Sequence, residues 1–134
     1  MLYRNSEGEV PIGDYELPIG QALVTRPGSD ITLVGWGVQV ARMEAAAERM
    51  EKEDGVSCEV IDLQTIIPWD VDTVTKSVKK TGRLIVTHEA CSTGGFGAEI
   101  AAKIEERCFL SVSIFVDSQQ NPHCRLCVPL IFLR

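Results

Sequence analysis

The runs DLQTIIPWDVDT (62–73) and KTGRLIVTHEACSTGGFGAEI (80–100) decide the fold. Each passes from an apolar stretch through a turn into residues with helical spacing. In the first, Asp70 follows Pro68 and Trp69 and is placed to cap a helix over 71–80, with Val71, Val74 and Val78 as its apolar stripe. Asp72 near the start and Lys76, Lys79 and Lys80 near the end suit the helix dipole, and Gly82 closes the segment. In the second, Leu84 to Thr87 reads as a buried strand. Gly94 and Gly95 then make a turn into a helix over 96–108, with Gly97, Ile100, Ala101, Ile104 and Cys108 facing inward. Glu99 and Lys103 are spaced as a supporting pair on that helix.

The same alternation holds upstream. Ile31 to Val34 is a short apolar run before Gly35-Trp36-Gly37 and reads as a buried strand leaving through a tight turn. Trp36, Val40, Met43, Ala47 and Met50 then recur at spacings of three and four, with Glu44, Glu48, Arg49 and Lys52 opposite, and Asp54-Gly55 ends the helix. Glu48 and Lys52 form an i, i+4 pair. A further strand falls within Val56 to Leu63. Strands alternating with helices predict the α/β class: a three-layer α/β/α sandwich on a mainly parallel sheet, with right-handed crossovers placing helices on both faces. Ile61, Leu63, Leu84, Val86, Ile100 and Ile104 are the expected core.

Around this unit the character changes. Residues 1–27 are punctuated by Pro11, Gly13, Pro18, Gly20 and Pro27 and read as a linker, with a short strand over Gln21 to Thr25. The domain is expected over 28–110. Residues 111–134 form an atypical tail, nearly free of acids, in which Val112 to Val116 suits an edge strand and Val128 to Leu133 is apolar without helical period.

A chain of 134 residues, 45% apolar and 24% charged, suits one domain with one modest core. The formal net charge of −6 speaks against nucleic acid, which needs clustered Lys and Arg, and favours a basic protein partner. No apolar run reaches the ~18 residues of a membrane span, and the start MLYRNSEGEV carries no secretory or transit pattern. Five irregularly spaced cysteines read as reduced thiols.

The motifs carry little chemistry. Gly35-Trp36-Gly37 between strand and helix, with Asp62 ending the next strand, has the outline of a dinucleotide fingerprint, but Val40 stands at the third glycine position. Gly94-Gly95-Phe96-Gly97 opens a helix where free N–H groups can hold an anion, but no Lys-Ser/Thr follows. His88-Glu89 has the composition of an acid–base pair. Neighbouring strand residues point to opposite faces, however, so a strand end at a subunit contact fits it better. His123-Cys124 with Cys127 lacks the fourth ligand of a structural zinc site unless a distant thiol such as Cys108 supplies it.

Residues 2 to about 110 resemble the C-terminal domain of the beta subunit of branched-chain 2-oxo acid dehydrogenases. The runs LYR (2–4), EVPIGDYELPIGQA (9–22), GSDITLVGWGVQV (28–40), GVSCEVIDLQTIIPWDVDT (55–73) and KTGRLIVTHEACSTGGFGAEI (80–100) carry the resemblance. Pyruvate dehydrogenase beta subunits and transketolase share the domain. Gln64 stands where the family usually has Arg, and the family pattern stops near Phe109-Leu110. The resemblance implies thiamine-dependent oxidative decarboxylation of branched-chain 2-oxo acids, with acyl transfer to lipoyl groups, in the mitochondrial matrix. It implies an alpha subunit, a second beta subunit and a dihydrolipoyl acyltransferase core as partners, with no nucleic acid and no membrane. The thiamine diphosphate, potassium and substrate sites of such beta subunits belong to an N-terminal half outside this sequence. No catalytic, cofactor or metal residue is therefore expected here. His88, Glu89, Gly94, Gly95 and Phe96 are the candidate subunit contact. A non-catalytic docking module, a pyruvate dehydrogenase beta fragment and a nucleotide-binding half-domain are the alternatives.

Overall fold

The computed structural model describes residues 9–91 and 93–118. The elements are β1 (Leu23–Arg26), β2 (Ile31–Gly35), α1 (Val38–Asp54), β3 (Cys58–Asp62), α2 (Val71–Thr81), β4 (Arg83–His88), α3 (Phe96–Cys108) and β5 (Ser113–Ser118). They form one five-stranded sheet in the order β1-β3-β2-β4-β5. β2, β3, β4 and β5 are parallel, and β1 runs antiparallel along β3. The mainly parallel sandwich expected from the sequence is the observed architecture.

Period-two alternation along buried strands divides the core into two layers. Val34, Ile61, Leu84 and Val86 face α2 and α3, where Val74, Val78, Ile100 and Ile104 meet them. Leu33, Val60 and Ile85 face α1, where Met43 and Ala47 meet them. Burial on both faces explains why β2 and β4 read as continuous apolar runs rather than alternating ones. All six expected core residues are buried.

The helix ends follow their local chemistry. The Asp70 carboxylate accepts the backbone N–H of Thr73 at 2.9 Å and caps α2. Gly82 ends α2 at φ 70°, a left-handed turn that a side chain would strain. The helix over 96–108 has the expected bounds. The Glu48–Lys52 pair forms at 2.6 Å.

Two expectations are corrected. Lys103 turns to Glu106 at 2.7 Å rather than to Glu99; a spacing of three serves as well as four on a helix surface. On α1 the buried face is Gln39, Met43 and Ala47, while Val40 and Met50 are half-buried. Gln39 goes inside because its Oε1 accepts the hydroxyl of Thr87 on β4 at 3.3 Å.

The sheet draws one edge strand from the 1–27 segment and the other from the 111–134 segment. β1 pairs Leu23 with Asp62 and Val24 with Ile61, then shifts register before Arg26. β5 pairs with β4 from Arg83↔Ser113 to His88↔Ser118.

Several buried polar groups are paired across elements. The Thr32 hydroxyl lies 2.7 Å from that of Ser77 and 2.8 Å from that of Thr81. Glu59 bonds Lys80 and accepts the Gly28 N–H at 3.3 Å. Burial pushes the Glu59 carboxyl up, but Lys80, Ser77 and Gly28 outweigh it and hold the pKa below its ordinary value. Burial also pushes Asp70 up, and the N–H groups of Thr73 and Ala22 more than reverse it.

Candidate functional site

In a parallel α/β sheet, ligands favour the crevice beyond the carboxyl ends of the strands, where the strand order reverses. Here the chain leaves β2 for β3 on one side and later returns to β4 on the other, so the reversal lies between β2 and β4. Three connections meet above it: the turn after Gly35, the segment 63–70 and the loop 89–95.

Aromatic side chains occupy this crevice. Trp36 stacks on His88 with ring centroids 5.8 Å apart and planes 14° from parallel. Phe96 meets Trp36 edge-on at 6.2 Å and Trp69 edge-on at 6.5 Å. These are favoured aromatic geometries. Gly95 lies over His88 so closely that an added Cβ would fall 2.5 Å from its Cε1 and 2.2 Å from the Cys91 carbonyl oxygen. Gly95 thus serves close packing, whereas Gly94 takes a left-handed turn at φ 74° with nothing within 4 Å of an added Cβ.

Beside the cluster opens a cleft of about 640 Å³, lined by the turn Ile66 to Trp69 on one wall and by Gly94, Gly95, Phe96, Ala98 and Glu99 on the other. Asp70 anchors the first wall: one carboxylate oxygen caps α2, and the other accepts the Ala22 N–H at 3.0 Å. The Gly20 N–H donates to the Thr65 hydroxyl at 2.9 Å. The arm preceding β1 is thereby rooted against the same wall. Ile67 is 84% exposed at the cleft mouth.

The five candidate contact residues fall into two groups. Gly94, Gly95 and Phe96 line the cleft. His88 is buried at 1% exposure with its ring against Trp36, whereas Glu89 is exposed, so the two do not converge as an acid–base pair. Trp36, Trp69 and the wall Ile66 to Pro68 are the site residues that sequence reasoning missed. Trp69 follows a proline at a strand-to-helix turn, and that position was the available signal.

The arrangement suits protein side chains better than a phosphorylated cofactor. Aromatic rings fill the point where a dinucleotide would lie, and among the described residues the one ionisable group lining the cleft is the carboxylate of Glu99, which repels phosphate. Among the described residues no group of three or more His, Cys, Asp and Glu is placed to hold a metal ion. The donor set does not fit a metal-bridged diphosphate such as that of thiamine diphosphate. The H-C-x-x-C run lies outside the described residues.

The sequence profile of the family "Transketolase, C-terminal domain" matches residues 20–125. The chain is 50% identical to the 2-oxoisovalerate dehydrogenase subunit beta, mitochondrial, of Dictyostelium discoideum, over 98% of this chain and 35% of that one. It is 53% identical to the subunit beta 2 of Arabidopsis thaliana, over 98% of this chain and 36% of the relative. Identity to the pyruvate dehydrogenase E1 component subunit beta of Staphylococcus epidermidis is 49%, over 83% and 34%. The chain thus spans about a third of the length of these relatives. Among solved structures, a split-gene transketolase described as an inactive beta4 tetramer superposes with a TM-score of 0.70 at 27% identity, covering 81% of this chain and 35% of that one. The 2-oxoglutarate:ferredoxin oxidoreductase of Magnetococcus marinus, at TM-score 0.51 and 13% identity, shares the fold.

Proposed function

The chain belongs to the transketolase C-terminal domain family, and from that premise we propose that it is the C-terminal part of the beta subunit of a branched-chain 2-oxo acid decarboxylase component. The identity of 50% and 53% to two such subunits over 98% of the chain carries this reading. In it, the chain supplies subunit contacts and docking surface, and the groups that break bonds belong to other parts of the assembly. The aromatic cleft is the surface that fits this task, with Gly94, Gly95 and Phe96 in one wall and His88 as the buried support against Gly95. Glu89 sits exposed on the adjoining loop, where it can meet a partner.

On this reading the whole enzyme is thiamine-dependent and oxidises branched-chain 2-oxo acids in the mitochondrial matrix, as the mitochondrial relatives support. Its partners are the alpha subunit, a second beta subunit and the acyltransferase core. Thiamine diphosphate, held by other parts of the assembly, would supply the decarboxylation chemistry at the 2-oxo carbon. This chain's residues shape contacts around that chemistry and take no step in it.

Two measurements test the reading. Calorimetric titration of the chain with thiamine diphosphate and magnesium is expected to show no binding; micromolar affinity would overturn it. Co-expression with a branched-chain alpha subunit and with a pyruvate dehydrogenase alpha subunit should yield a co-eluting complex with the first. Selective association with the second would favour the pyruvate-type reading, which the 49% identity to that subunit supports.

A further inference from the structure

We draw no further inference here: the strongest candidate, the apolar cleft between the turn Ile66 to Trp69 and the start of α3, belongs to the site already described, and nothing in the structure shows what covers it.

Discussion

Single residues hold the site together through fit. Gly95 has no room for a side chain, because a Cβ there would meet the Cys91 carbonyl and the His88 ring. Gly95→Ala should therefore lift the start of α3 off His88 and cost about 1–3 kcal/mol, the usual range for overpacking. Urea unfolding measures the loss, and Trp36 fluorescence reports the disturbed stack. An unchanged midpoint would show that the turn yields freely. The thiols differ as sharply. Burial pushes Cys58 up to about 11, so near pH 8 only about one thiol in a thousand is ionised there. Cys91 is exposed, and Cys108 is buried. Among these three, iodoacetamide should modify Cys91 first and Cys58 and Cys108 only on unfolding, as peptide mass spectrometry over time would reveal.

At the scale of elements, the helices are tied to the sheet by carboxylates as well as by apolar stripes. Glu59 on β3 binds Lys80 on α2 and the chain before β2, and Asp70 joins the start of α2 to Ala22, just before β1. Both pKa values lie below their ordinary values in the folded chain. In the unfolded chain these groups titrate near ~4, where they bind more protons than the folded chain does. Stability from them is therefore present above that pH and is lost as pH falls through the lower folded values. Chemical denaturation between pH 6 and 3 should show a falling midpoint, and Glu59→Gln should flatten the fall while lowering stability at neutral pH. An equal slope in the variant would remove Glu59 from the account.

For the whole molecule, the centre of the sheet is the source of stability. β2 and β4 are each paired on both sides and covered on both faces. Their amides should exchange at close to the global unfolding rate, while β1, a short edge strand with a register shift, exchanges much faster. Val86→Asp places a charge in the α2–α3 layer and should cost several kcal/mol or prevent folding. If hydrogen exchange found β4 as labile as β1, the layered core would not be the source of stability. The same architecture leaves the cleft at the rim, outside the core, where its residues are free to serve contacts.

The sequence by itself determined the alternation of strands and helices, the bounds of α3, the cap at Asp70 and the six core positions, because each depends on neighbours within a few residues. It also carried the family, through runs spread across most of the chain, and it supplied Gly94, Gly95 and Phe96 as candidates. Only the tertiary structure decided that β1 joins the sheet antiparallel, that Gln39 is buried and that Lys103 chooses Glu106. It also decided that Trp36, Trp69 and the Ile66–Pro68 turn build one cleft. Gln39 is polar and reads as surface until Thr87, 48 residues away in sequence, offers its hydroxyl. Trp36, Trp69 and Phe96 sit in three separate connections and share no local period. Sheet order alone brings their ends together, and sheet order is set by long-range packing that no short stretch of sequence contains.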